Sequence, residues 1–279
     1  MPGTLYVVGT PIGNLGDLSP RARDTLETVD FIAAEDTRVT LKLLNHFDIK
    51  KPLVSYFEHN RREKGELIVS RLLAGENCAL VTDAGMPAIS DPGEDLVDLC
   101  HLNGIPVCAV PGPTAFATAL ALSGLPVGRF TFEGFLSVNK PSRRAHLQSL
   151  ETESRTMVFY EAPHKLIRTL HDLFEAFGDR RIALVREITK IHEEVIRTSL
   201  KEALTLYDEA HPPKGEFVLV VCGKETTKDT VTLEEAIECA KKLQSEGMAP
   251  SAAAKQAAKE TGFKKGELYQ ALLEKGENA

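Results

Sequence analysis

Three glycine-bearing loops carry the strongest chemical signal in the sequence: GTPIGNLGD (9–17), TDAGMPAISDPG (82–93) and PGPTA (111–115), each directly after an apolar run of strand length. Glycines at such turns let a backbone approach a ligand closely, and the N-termini of following helices offer free N–H groups. Three such turns at successive strand ends converge on one crevice, the place where open α/β sheets bind ligands, and imply a small organic molecule with polar ends. The glycines at 9, 13 and 16 fit neither G-x-G-x-x-G nor G-x-x-x-x-G-K-[ST], which argues against a nicotinamide or phosphate-loop nucleotide site. H-E-x-x-H and G-x-S-x-G are absent and no Cys and His set has metal spacing, so no metal is expected. Asp and Glu are too abundant for spacing to single out a hydrolytic pair. His59, His164 and His192 stand among charged residues, where a solvated or hydrogen-bonded structural role is the commoner outcome.

The elements that must position these loops are legible as apolar runs. LYVVG (5–9), FIAAED (31–36), CALVT (78–82), PVCAV (106–110), TFEGF (131–135), TMVFY (156–160), RIALVRE (181–187) and EFVLVV (216–221) read as strands alternating with helix-length segments. Ser19 with Pro20 fits an N-cap and first helical position, opening a helix through about Thr28. The texture changes at LPVGRF (125–130) and again at the polar stretch 224–230. The expected organisation is therefore two α/β domains, 1–125 and 126–225, followed by a helical module over 231–279. In that module helices over 233–246, 250–260 and 264–273, with the turn Thr261-Gly262-Phe263, have helix-turn-helix spacing. Seven Lys against eight Glu make it nearly neutral, and DNA is not an expected partner.

The 279 residues, 43% hydrophobic and 26% charged, suit an ordinary folded protein of about two domains and exclude wholesale disorder. With 33 basic against 40 acidic residues the formal charge is −7, so any nucleic-acid contact must come from local basic patches. Five scattered cysteines with no C-x-x-C pair, and a start without a basic signal-peptide region, predict a reduced cytoplasmic protein. The uncharged stretch 105–128 contains Pro106, Pro111, Pro113 and Pro126 and reads as a buried strand-loop-helix rather than a membrane span.

With TPIGNLGD (10–17), EDTR (35–38), DAGMPAISDPG (83–93), PGPTA (111–115), GF (134–135), YEAPH (160–164), REITKIHEE (186–194) and GEFVLVV (215–221) in order, the sequence resembles the tetrapyrrole methylase superfamily. Within it, the resemblance is to the ribosomal RNA small-subunit methyltransferase I family and covers nearly the whole chain. The alternative reading is a tetrapyrrole methyltransferase, but such relatives usually carry a G-P-G-D type of first loop, whereas this chain has the TPIGNLGD form typical of the RNA enzyme. A ligand-sensing nucleic-acid-binding regulator is the rival from another class. One departure is Lys165, where an Arg commonly follows the Pro-His pair.

The resemblance implies two α/β domains holding S-adenosylmethionine in the cleft between them, metal-free methylation of a cytidine ribose 2′-oxygen in small-subunit ribosomal RNA, and a homodimer. Carried over by position, the cofactor site takes Pro11 from the first loop, Asp83, Gly85 and Met86 from the second, and Thr114 and Ala115 from the third. Tyr160, with its neighbours Phe159 and Glu161, and Phe217 and Val218 supply the far wall. The residues expected near the chemistry are Lys190, Glu187 and Asn14, with Lys190 stabilising or deprotonating the hydroxyl. Asp17, Glu35, Asp36 and Arg38 belong to the same motifs. RNA contact falls to Arg38, to Arg61 and Arg62 beside Tyr56, Phe57 and His59, to Lys140, Arg143 and Arg144, and to Arg180 and Arg181.

Overall fold

The computed structural model describes residues 1–208, 210–225 and 232–273. In the first half five strands alternate with helices: β1 (Leu5–Val8), α1 (Pro20–Thr28), β2 (Phe31–Ala34), α2 (Thr37–His46), β3 (Leu53–Ser55), α3 (Arg61–Leu73), β4 (Cys78–Val81), α4 (Glu94–Leu102), β5 (Val107–Val110) and α5 (Ala115–Ser123). All pairings are parallel, in the order β3-β2-β4-β1-β5. Helices therefore cover both faces, and β2 and β4 are buried at every position, which is why FIAA and CALV read as unbroken apolar runs. Ser19 caps α1 by accepting the Ala22 N–H, with Pro20 leading the helix as expected.

The second sheet comprises β6 (Phe130–Phe135), β7 (Thr156–Glu161), β8 (Arg181–Arg186), β9 (Glu194–Ser199) and β10 (Phe217–Val221), with α6 (Lys140–Ser149), α7 (Pro163–Phe177) and the short α8 (Leu200–Ala203) between them. Its order is β6-β7-β10-β8-β9, and only the β6–β7 pair is parallel. Both sheets belong to one compact unit, residues 1–224. The expected division after residue 125 falls between α5 and β6. However, α5 packs on the later sheet, burying Ala119 and Leu120 with Val158, Ala183, Val185, Val218 and Val220. Arg197 of β9 fastens it by donating to the Leu122 and Ser123 carbonyls at the C-terminal end of the helix, where a cation also meets the favourable end of the dipole.

The strands missed in the sequence are the two short or half-exposed edges, β3 with three residues and β9 with none buried. Residues 105–128 form β5, a turn and α5, the expected elements, but β5 lies at the sheet edge and is exposed at Val107, Cys108 and Ala109 rather than buried. No helix among the described residues is long and apolar enough to cross a membrane.

From Glu225 onward the chain forms a second unit. It consists of α9 (Leu233–Ser245), α10 (Pro250–Thr261) and α11 (Lys265–Leu273). A reciprocal capping box between Thr232 and Glu235 starts α9, and Gly262, at φ 77°, ends α10. The small side chains Ala236, Ala240, Ala253, Ala254 and Ala257 let the helices close up around Leu268 and Leu272. Val231 and residues 274–279 of the expected module lie outside the described residues.

Candidate active site

The loops after β1, β2, β4 and β5 meet the β6 and β7 ends, the β8 loop and the start of β10 around a cavity of about 370 Å³. Because β10 is antiparallel to β7 and β8, its first residues lie at the same end of the sheet as their last. One wall is made by Ile12, Glu35, Thr82 to Met86, Ile89 to Asp91, and Thr114 with Ala115. Across it stand Phe135, Tyr160 to Ala162, Val185, Ile188, Lys190 and Glu216 to Val218.

Backbone contact sets the shape of the first wall. A Cβ on Gly112 would lie 2.7 Å from the Gly9 carbonyl oxygen, and one on Gly9 would lie 2.7 Å from Gly112 Cα and from Met86 Sδ. Only hydrogen fits at either place, so the first and third loops touch main chain to main chain. The first and second are joined by a two-way bridge, Thr10 N–H to Gly85 O at 2.9 Å and Gly85 N–H to Thr10 O at 3.1 Å. Thr10 Oγ1 donates to the Thr82 carbonyl as well.

Four of the five non-glycine residues with positive φ among the described residues flank the cavity: Ala88 (67°) and Ser90 (69°) in the second loop, Glu187 (51°) and Thr189 (68°) after β8. Such conformations cost of order 1–3 kcal/mol each and persist where the surroundings over-determine them. The two loops are thus held in shapes that free chain would not choose.

Charge on the cavity walls is lopsided. Glu35, Asp83, Asp91, Glu161 and Glu216 face a single ammonium, that of Lys190. Burial, together with the Glu35 carboxylate, pushes Asp91 up to about 6, and the same two causes raise Asp83. Desolvation works against the Lys190 ammonium, but the carboxylates of Glu187 and Glu216, each 2.8 Å from Nζ, outweigh it and hold Lys190 above its ordinary value. The Lys190 hydrogen bond in turn keeps Glu187 below its usual range. Lys190 lies over Gly13, where a Cβ would meet its Cγ at 2.6 Å. Burial raises the Tyr160 phenol, whose oxygen accepts the Phe116 N–H at 3.2 Å in the first turn of α5.

The family described as Tetrapyrrole (Corrin/Porphyrin) Methylases matches residues 4–204, and the RsmI C-terminal HTH domain matches residues 231–276. Similar proteins include the Ribosomal RNA small subunit methyltransferase I of Synechocystis sp., 48% identical with 98% of each chain covered. That of Pseudomonas aeruginosa is 44% identical, again with 98% of each chain covered. The chain belongs to the ribosomal RNA small subunit methyltransferase I family. Among solved structures it is similar to the uroporphyrin-III C-methyltransferase of Thermus thermophilus, with a TM-score of 0.55 and 22% identity over 79% of this chain and 94% of that one. A second structure of that name is complexed with S-adenyl homocysteine, with a TM-score of 0.53 and 20% identity over 79% of this chain and 97% of that one. These likenesses establish the fold.

In this member of the family, Asp83, Gly85, Met86, Thr114, Ala115, Tyr160, Phe217 and Val218 line the cavity, as does Lys190. Pro11 does not line it; it is buried one residue before Ile12, which does. Asp83 spends one oxygen on the Asp36 N–H at 3.2 Å, tying the second loop to the β2 end. Glu187 stands behind Lys190, and Asn14 stands apart, its side chain accepting the Gly16 N–H to start the 3-10 turn Leu15–Asp17. Arg38 is exposed and folds back on Asp36, holding that carboxyl at about 2. Arg61, Arg62, Lys140 and Arg144 are exposed, whereas Arg143, expected with them, is 5% exposed and committed to Asp172 and Thr169. Burial explains the difference: it shares the inner face of α6 with Leu147, one turn on. Arg180 is likewise turned inward, donating to the Glu151 and Glu153 carbonyls. Thr82, whose hydroxyl donates to Glu35 at 2.6 Å, Asp91 and Glu216 were not singled out in the sequence. Only the position of Thr82 and Asp91 within the second loop signalled them.

Proposed function

We propose that this chain is a cytoplasmic enzyme that transfers the methyl group of S-adenosylmethionine to the 2′-oxygen of a cytidine ribose in small-subunit ribosomal RNA. The observation that carries the reading is full-length similarity to proteins named for small-subunit ribosomal RNA, 48% identical over 98% of both chains. The cavity residues fit the cofactor. Five carboxylates against one ammonium suit a molecule carrying an ammonium and a sulfonium, and Ile12, Met86, Ile89, Ile188 and Phe217 offer an apolar enclosure for an adenine. Asp83, the Gly85 and Met86 backbone, and Thr114 with Ala115 at the start of α5 would hold its polar ends, with Phe217 and Val218 opposite.

Bound there, S-adenosylmethionine supplies an electrophilic methyl group for in-line attack. The protein's part is to orient the ribose and to manage its proton, and orientation contributes at most about 7–11 kcal/mol. Lys190, fixed between Glu187 and Glu216, is a permanent cation and stabilises charge growing on the oxygen. Its raised value makes it a poor base, so the proton passes to a cleft carboxylate, and Asp91, ionised above about pH 6, takes that role. Arg38, Arg61, Arg62, Lys140 and Arg144 contact RNA phosphates. The enzyme acts as a homodimer, a reading supported by the sheet-edge strand β5, which exposes Val107, Cys108 and Ala109.

The decisive experiment is transfer of labelled methyl from S-adenosylmethionine to small ribosomal subunits from cells lacking the protein, followed by nucleoside digestion. The expected product is 2′-O-methylcytidine. Label on a base, or none, overturns the reading.

A further inference from the structure

Arg143 and Thr169 are polar side chains buried to 5% and 1% exposure, and the reaction described so far uses neither. They form a directed chain that ends in the cleft. A guanidinium only donates. Thr169 Oγ1, receiving Arg143 Nη2 at 2.8 Å, therefore sends its own proton to Glu161 Oε2 at 2.5 Å. Arg143 Nε is anchored on the other side by Asp172 at 2.5 Å, three residues along α7 from Thr169 and so on the same helix face. The second oxygen of Glu161 accepts the Ala162 N–H at 2.9 Å. Each carboxylate oxygen has two acceptor sites. Among the described residues, one on each oxygen of Glu161 is left over, in a side chain only 4% exposed that nonetheless lines the cavity beside its strand partner Phe217.

A buried carboxylate locked at one orientation, with acceptor capacity to spare and facing a ligand cavity, is built to receive donors. We propose that Glu161 accepts a hydrogen bond from a hydroxyl or amino group of the bound nucleoside, and that Thr169 and Arg143 are positioning residues that hold it there. The inference rests on the S-adenosylmethionine reading of the cleft. It also explains why position 143 holds an arginine: two acceptors lie on different sides of the guanidinium, and a lysine ammonium on a flexible stem lacks the rigid fork that serves both.

The test is calorimetric binding of S-adenosylhomocysteine to the full-length protein, alongside thermal melting. Thr169→Val keeps the shape and removes the hydroxyl; binding should weaken on the order of tenfold, the cost of a lost hydrogen bond to a charged group. Thr169→Ser keeps the hydroxyl and should stay within about twofold. Glu161→Gln should weaken binding comparably, and adding Thr169→Val to it should cost little more, because both changes act through one contact. In turnover the loss should appear in the KM for cofactor and leave the KM for RNA unchanged. Wild-type affinity in a Thr169→Val protein that melts lower, or losses that multiply in the double variant, would reduce the chain to a structural role and overturn the proposal. Should Thr169→Val not fold, Asp172→Asn at the partly exposed end must still weaken binding severalfold, and an unchanged affinity there overturns it equally. A wild-type protein that binds no S-adenosylhomocysteine refutes the cofactor reading itself, and this inference with it.

Discussion

The two walls of the cleft recognise by different means. The parallel-sheet wall is mostly main chain: glycines in contact, a two-way backbone bridge and a loop with residues 88 and 90 in left-handed conformations. Across the cavity, the mixed sheet presents side chains, each held by a partner: Lys190 by Glu187 and Glu216, Glu161 by Thr169, Tyr160 by the Phe116 amide. A backbone surface tolerates no added atom, whereas a side-chain surface loses function group by group. Substitutions on the first wall should therefore be all-or-none, and those on the second graded.

The sharpest way to break the contrast is Gly112→Ala, whose single methyl meets the Gly9 carbonyl. Displacing the third loop by even 1 Å misaligns the reacting atoms, and a loss of activity of at least about 10² is expected; a normal turnover number would show that the main-chain contact is dispensable. Asp91→Asn, which neutralises one of the three carboxylates that Glu35, Asp83 and Asp91 place on that wall, should lower kcat by roughly 10² to 10⁴, as removal of a general base does. In the wild type kcat should climb tenfold per pH unit below about 6 and level off above it, following the raised carboxyl, and the variant should lose that limb. Stability carries the opposite sign. A native carboxyl raised from 3.8 to about 6 keeps a proton that the unfolded chain gives up, so its contribution falls as pH rises from about 4 to about 6. Asp91→Asn should remove that slope and melt higher than the wild type at pH 8, which thermal unfolding of both proteins at about pH 4 and at about pH 8 checks.

On the graded wall, Lys190→Ala should cost about 10² in kcat with little change in cofactor affinity. Unchanged turnover would return Lys190 to the role of a counter-ion for Glu187. Smallest of all, Arg144→Ala should leave melting unchanged and reduce the salt slope of RNA binding by about 0.7 to 0.9, the share of one phosphate. A slope equal to that of the wild type would take Arg144 out of the RNA contact.

What was legible in the sequence follows the same division. The backbone wall announced itself, because glycine after a buried strand is a local signal, and Asp83, Gly85, Met86, Thr114 and Ala115 all lie at the cavity. The side-chain wall depended on tertiary contact: β8–β10 pairing brings Glu216 to Lys190, and the packing of α7 back onto β7 brings Thr169 to Glu161. Spacing along the chain carries no trace of that. Arg143 shows how a local signal was available but outweighed. Its basic neighbours suggested a surface patch, while its four-residue spacing from Leu147 placed it on the inner face of α6. Asn14 lay in a motif near the chemistry yet serves a turn, as Asn does at many loop starts.

The placement of α5 bears on how the protein is made. The helix is apolar on nearly every side, and the strands it covers, β7, β8 and β10, all follow it in the chain. The parallel sheet can close once β5 has been synthesised, but α5 emerges with nothing to bury against until most of the remaining unit is complete. Newly made protein therefore carries an exposed greasy helix for much of its synthesis, and the interval before β10 arrives is when the chain is most open to aggregation.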